Sequence, residues 1–296
     1  MMSYPLNGVN ADGSGQVLWQ DGERVFRRGW RLGDDDNRSA VLVVQPATGH
    51  PSPLSLDRLT HDYDLKDELD GAWAARPLDL VREGGRTVLV LEDTGGEPLD
   101  RLLGAPMEVG RFLRLAVGIA MALGKLHQRG LVRKDIKPAN IILNDATGEV
   151  RLTGFGIASR LSRERHAAKP PEALTGTLAY MAPEQTGRMN RSIDSRGDLY
   201  ALGVTFYQMI SGALPFIAAD PMEWVRCHLA KQPVAPADRV NEIPDADSAI
   251  IMKLLAKLGE SNSSKRGLTI RGMFTPSGRP SRSCSQPGSP ALESDK

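Results

Sequence analysis

"RKDIKPANIILN", residues Arg133–Asn144, sets an aspartate, a lysine two residues on and an asparagine five residues on against an apolar run. Ile141–Leu143 has the composition of a buried strand, so Asp135, Lys137 and Asn140 lie on the loop that enters it. Alone, an Asp or an Asn in such a place is turn chemistry, because either side chain bonds neighbouring backbone N–H groups. What lies around the loop gives it meaning. "LTGFGIAS" (Leu152–Ser159) follows one hairpin later, with glycines on both sides of Phe155. It could be a phosphate loop, a plain turn, or a metal site that has lost its ligand. Beyond it come "TGTLAYMAPEQ" (Thr175–Gln185) and "DLYALGVTFYQMISGALPF" (Asp198–Phe216).

Upstream, short β-type runs alternate with turns. "QVLWQ" (16–20) and "RVFRRGWR" (24–31) flank Asp21-Gly22, a strong hairpin signal. "SAVLVVQ" (39–45) reads as a strand buried on both faces, and "RTVLVLED" (86–93) as another, entered from the Gly84-Gly85 turn. Between them Leu54, Leu59 and Leu65 recur at helical spacing among charges. From Glu108 to Gln128 an amphipathic helix carries Phe112, Leu115, Ile119, Leu123 and Leu126 on one face and stops at Gly130. "IILN" and "VRLTG" form a hairpin about Asp145–Gly148. Further helices are expected from Asp194 to Ile210, from the Asp220-Pro221 cap, and in "ADSAIIMKLLAKL" (246–258). The pattern is α+β: a small sheet-rich lobe and a larger helical lobe, divided near Thr94–Pro98. Residues 1–15 read as a flexible lead-in, 16–258 as the domain, and 259–296, rich in Ser, Gly, Pro and Arg, as a disordered tail.

Bulk properties narrow the function classes. A chain of 296 residues, 41% hydrophobic and 25% charged, can bury one large domain or two lobes. A net charge of +1 argues against a nucleic-acid partner or a polybasic membrane surface. Cys227 and Cys284, far apart in the chain, fit a reducing compartment and no zinc spacing. The N-terminus has neither a basic start nor an apolar core, and the longest apolar stretch, Leu199–Ile210, is too short to span a bilayer. The expectation is a soluble, cytoplasmic protein with no transmembrane segment and no nucleic-acid partner.

In their order and spacing, the motifs around Asp135, Thr177–Glu184 and Asp198 resemble those of the protein kinase family, over roughly Gln16 to Leu258. The resemblance implies the two-lobed protein-kinase fold, ATP and Mg2+ as cofactors, and a protein substrate or a regulatory partner protein. Asp135 would orient the substrate hydroxyl and accept its proton; Lys137 would sit beside the transferred phosphate, as in serine/threonine rather than tyrosine kinases. Asn140 would hold magnesium through its amide oxygen. Glu92 and Thr94 would form the hinge against the nucleotide, Leu91 the residue behind it, and Ile142 an apolar floor under the adenine. Glu184 would make a buried ion pair, Thr177 would bond within the catalytic loop, and Asp198 would receive that loop's backbone N–H groups. Lys137 and the Ala182-Pro183-Glu184 segment speak against a small-molecule kinase of the same broad fold.

The chain also departs from the family. Where the family's Gly-rich loop belongs stands the tight "QDGE" hairpin, and Gly13 and Gly15 lie too early to replace it. The phosphate-binding lysine of the third strand is missing; Val44 or Gln45 takes its place. Asp62 stands nearest to the usual helix glutamate and, without that lysine, reads as a solvated helix residue. Arg133 replaces a packing histidine. In the segment where the family carries Asp-Phe-Gly, this chain has Gly154-Phe155-Gly156, without the magnesium-binding carboxylate. A charge-assisted hydrogen bond is worth about 1.5–3 kcal/mol, so the missing lysine alone would cost on the order of 10–100-fold. Losing an anionic ligand should cost a hard dication more. The expectation is a degenerate kinase, with a pseudokinase acting as a regulatory or binding module as the alternative. Recruitment of Asp93 or Asp145 could change this, although nothing in the sequence points to it. Longer stretches, among them "AYMAPEQTGRMNRSIDSRGDLYALGVTFYQMISGALPF", look like the N-terminal kinase-like module of bacterial hybrid sensor histidine kinases. That likeness would make the chain a truncated module and the stretch from Gly259 an unrelated or frame-shifted tail.

Overall fold

The computed structural model describes residues 17–32, 38–160, 177–187 and 193–257. The expected lead-in and tail, with Gly13, Gly15, Ser162, Thr175 and Cys284, lie outside them. β1 (Val17–Gln20) and β2 (Arg24–Leu32) form the hairpin about Asp21-Gly22, and β3 (Arg38–Pro46) follows. After helix α1 (Pro53–Asp64) come β4 (Pro77–Glu83) and β5 (Arg86–Glu92). The five strands make one antiparallel sheet in the order β1-β2-β3-β5-β4. β3 is buried on both faces, as its unbroken apolar run requires. Val41 and Val43 pack with Val81, Val88 and Val90 on one face; Leu42 and Val44 join Phe26, Leu59 and Leu89 on the other. α1 covers the second face through Leu59, but Leu54 does not share its stripe and is 54% exposed. β4 was not among the expected strands. Its proline start and uneven pattern hide it, yet the Gly84-Gly85 turn needed a partner strand before it.

The helical lobe is built on α2 (Val109–Gln128), whose Glu108 cap accepts from Gly110 and Arg111 N–H. Phe112, Leu115, Ile119, Leu123 and Leu126 are all buried on its inner face, each contributing about 1.5–3 kcal/mol. α3 (Ser195–Ser211), capped by Asp194 and ended by Gly212 in the left-handed region, is buried along most of its length. It packs against α2 and α6 (Asp245–Leu255); α4 (Pro221–Ala230) and the short α5 (Pro236–Arg239) lie between α3 and α6 in the chain. Among the described residues no helix is long and apolar enough to cross a membrane.

Short strands between the lobes place the site. β7 (Leu131–Val132) pairs with β10 (Ser159–Arg160), while β8 (Ile141–Asn144) pairs with β9 (Glu149–Leu152) and with β6 (Glu97–Pro98). The loop from β7 to β8 and the segment from β9 to β10 are thereby laid side by side. That brings "RKDIKPAN" against "TGFGIA", and Thr153 N–H donates to Asn140 O at 3.0 Å.

His228 on α4 is buried between Tyr200, Phe216 and Trp224. Its Nδ1 lies 2.9 Å from Tyr200 Oη and its Nε2 2.8 Å from Leu178 O. Burial pushes its pKa from 6.5 down to about 4, outweighing the bond to Leu178. The unfolded chain therefore binds the extra proton first as pH falls. The contribution of neutral His228 is complete above about pH 6.5 and is lost progressively down to about pH 4, about 3 kcal/mol in all. Denaturation across this range should show a stability slope that His228→Gln flattens by close to one proton; an unchanged slope would count against this.

Candidate functional site

The loop that carries Asp135 rests on a carboxylate from α3. Asp198 Oδ2 accepts from Arg133 N–H at 2.8 Å and its Oδ1 from Lys134 N–H at 2.7 Å. These bonds hold Lys134 at φ 68, where a residue with a Cβ is strained. Asp198 Oδ2 also lies 2.9 Å from His127 Nε2, and Gln185 Nε2 donates to Lys134 O at 2.7 Å. From this turn Asp135 projects into the cleft.

Four of the expected residues meet there. Asn140 Nδ2 donates to Asp135 Oδ2 at 2.8 Å and to Asp135 O at 3.0 Å. Lys137 Nζ lies 3.4 Å from Asp135 Oδ2 and donates to Thr177 Oγ1 at 2.9 Å. Thr177 N–H reaches Asp135 Oδ1 at 3.4 Å. Burial works against ionised Asp135, but Lys137, Arg133 and Arg24 outweigh it and hold its carboxyl below the ordinary range.

The cation that completes this group comes from β2. Side chains alternate along a strand, so Arg24, Phe26 and Arg28 share the face turned toward the cleft. Arg24 Nη2 donates to Asn140 Oδ1 at 2.9 Å, the amide oxygen that the resemblance assigned to magnesium. Its Nε donates to Asp21 Oδ2 at 2.9 Å, and Nη2 is ion-paired with the same oxygen. Burial disfavours charge on both partners. Arg24 nevertheless holds Asp21 below its usual range, while Asp21, Asp62 and Asp135 raise the pKa of Arg24.

The glycines of "GFG" each answer a steric demand. Gly154 sits at φ 73, and a Cβ there would lie 2.8 Å from Arg24 Nη2 and closer still to Nη1. A Cβ on Gly156 would lie 2.7 Å from the Arg58 carbonyl of α1. Between them Phe155 is fully buried, edge-on to Trp73 at 6.3 Å. Arg133, 0% exposed, lies 4.8 Å over the Phe155 ring and donates to the carbonyls of Thr153 and Gly154. Burial lowers its pKa to about 10. Asp62 is not the solvated residue expected: it is 2% exposed, and its Oδ2 accepts from Phe155 N–H at 2.9 Å. Burial raises its pKa against the pull of Arg24 and Arg133.

A cavity of about 160 Å³ opens onto this group, lined by Arg24, Arg58, Asp62, Asp135, Lys137 and Gly154 among others. Glu92, Thr94 and Ile142 do not line it. The Glu92 carboxylate lies 3.7 Å from Arg76 Nε, and Thr94 O accepts from Asn144 Nδ2 at 3.5 Å. Ile142 is buried in the apolar cluster that holds Leu91, Trp19 and Phe26, the last two stacked at 4.1 Å. Asp93 and Asp145 are tied elsewhere, to Arg28 at 2.5 Å and Arg111 at 2.9 Å. Sequence reasoning missed Arg24 and Asp21, reading them only as a hairpin. The alternation Arg24, Phe26, Arg28 was the available signal.

The pattern for the protein kinase domain matches residues 64–275. The chain belongs to the protein kinase family. The match begins at Asp64, after β1, β2, β3 and nearly all of α1, the segments that carry most of the departures, and runs past the expected boundary at Leu258. The kinase domain is 34% identical over 206 residues to the DNA damage-responsive serine/threonine-protein kinase RqkA of Deinococcus radiodurans, covering 69% of this chain and 29% of that protein. It is 32% identical over 235 residues to serine/threonine-protein kinase pkn2 of Myxococcus xanthus, covering 77% and 28%. Serine/threonine-protein kinase PknB of Mycobacterium tuberculosis is 32% identical over 156 residues, covering 53% and 24%. The chain thus spans less than a third of the length of these relatives.

The contact between Arg24 and Gly154 gives a test of the site. Gly154→Ala should cost about 1–3 kcal/mol, part from the left-handed backbone and part from the guanidinium. In an Arg24→Ala background only the backbone part, about 1 kcal/mol, should remain. Chemical denaturation of the four proteins measures the difference; equal costs in both backgrounds would dismiss the contact.

Proposed function

We propose that this kinase domain is a degenerate serine/threonine protein kinase that serves bacterial signal transduction as a regulatory or protein-binding module. The observation that carries this reading is the stacked Trp19–Phe26 pair, packed in one cluster with Leu91 and Ile142. Leu91 is the residue the resemblance sets behind the nucleotide and Ile142 the floor under the adenine, so aromatic rings of the chain itself pack in the cluster that a base would need. Arg101 closes the same side of the cleft by donating to Leu18 O, and Arg28 reaches Gly96 O at 3.3 Å. The missing strand lysine supports the reading further: Val44 is buried in the same cluster. The partner would be a protein and the setting the cytoplasm, with the kinase-like module of hybrid sensor histidine kinases as the nearest architectural likeness.

A second reading, slow ATP- and Mg2+-dependent transfer to a protein hydroxyl, is favoured by one observation. Asp135, Lys137 and Thr177 stay in mutual contact, as a base, a phosphate-binding cation and a loop anchor would. Incubation of wild type and Asp135→Asn with radiolabelled ATP and general acceptor proteins separates the two. The expected result is no Asp135-dependent label in acceptor or kinase domain, and no thermal stabilisation by ATP. Label that Asp135→Asn abolishes would establish the second reading instead.

A further inference from the structure

We propose that Arg24 is the resident cation of this cleft, standing in the place that the family gives to magnesium, so that whatever the cleft binds is bound without a divalent ion. The inference rests on the polar end of the cleft, apart from the aromatic pair, and does not depend on whether transfer occurs.

Four observations carry it. The oxygen of Asn140 that would face a metal already accepts from Arg24 Nη2 at 2.9 Å. The space that a carboxylate on residue 154 would need is taken by the same guanidinium, which lies 2.8–3.0 Å from the site of a Cβ through Nη2 and Cζ. Each carboxylate around it has a partner within the chain: Asp21 has Arg24, Asp135 has Asn140 and Lys137, and Asp62 accepts from Phe155 N–H through Oδ2, its buried Oδ1 being left without a hydrogen bond. Among the described residues no group of three or more His, Cys, Asp or Glu side chains is arranged to hold a metal ion.

The chemistry explains why the two solutions exclude one another. Magnesium demands an octahedron of oxygens at close range and keeps several waters. A guanidinium is planar, permanently charged, and satisfied by oxygens at hydrogen-bond distance on its rim. A divalent ion beside it would meet a like charge in a buried site. The residues present therefore do not fit magnesium, and Gly154 and Arg24 form one exchangeable unit: either a carboxylate with a metal, or a glycine with an arginine. Arg24 acts here as a positioning residue, fixing Asn140 and, through it, Asp135.

Thermal denaturation in EDTA and in MgCl2 at matched ionic strength, with and without ATP, tests this on wild type, Arg24→Lys, and Arg24→Ala/Gly154→Asp. Wild type and Arg24→Lys should melt at the same temperature in both media, and any shift caused by ATP should be the same in EDTA as in magnesium. The double variant should melt lower in EDTA and show a saturable upward shift with MgCl2. Water-proton relaxation with Mn2+ should detect no saturable binding to wild type, a measurement that stands if the double variant does not fold. A magnesium-dependent shift or saturable Mn2+ binding in wild type would overturn the proposal, as would a folded double variant indifferent to magnesium. The preceding reading fails separately. Transfer in EDTA would refute it and leave Arg24 in place; a magnesium-dependent shift without transfer would remove only the role of Arg24.

Discussion

Charge compensation among buried groups is the constraint on which the arrangement of the two lobes depends. Arg24, Arg133 and Lys137 are held there against Asp21, Asp62 and Asp135, and these six groups come from the first hairpin, α1 and the loop Arg133–Asn140. Removing one partner from a buried pair typically costs about 3–5 kcal/mol, because the survivor stays desolvated. No one of these elements can shift alone without stranding a charge. The backbone N–H of Phe155 adds a fourth segment, tied to α1 through Asp62. The lobes are thus tied by electrostatics at the place the resemblance assigns to nucleotide and metal.

This accounts for what "GFG" has kept and lost. Phe155 is needed for packing under Trp73 and Arg133. Gly156 is needed for the approach of α1, and Gly154 for the approach of Arg24. The carboxylate could leave because a neighbouring strand supplies the cation that a carboxylate would otherwise recruit. The family likeness follows the same division. The match starts at Asp64 and takes in β4, β5 and the helical lobe, while β1, β2, β3 and nearly all of α1, which reshape the cleft, fall outside it.

Much of the fold was legible because it follows from periodicity and caps. The stripe Phe112–Leu126, the helix start at Asp194, the Asp220 cap and the two-faced β3 all appear where the pattern put them. β4 was hidden because an edge strand with a proline start carries little alternation. Within the site, Asp135, Lys137, Asn140 and Thr177 were legible as a group because their spacing is local or tied to a recognisable motif. Arg24 was not, since it acts 116 residues away from Asn140 and its local sequence is that of a plain turn. Asp62 was misjudged for a related reason. A helix acid is solvated by default, and only the tertiary approach of Phe155 and two arginines makes it a buried acceptor.

The strained turn at Lys134 bears on the order in which the chain assembles. Its left-handed backbone is held by Asp198, 64 residues further on, from a helix that is itself the centre of the larger lobe. Closing so long a loop has an entropic cost, and until α3 has docked nothing offsets the unfavourable φ. The segment bearing Asp135 is therefore expected to take its shape late, after α3 has docked. In the nascent chain the residues that look most like an active centre would be among the last to be ordered.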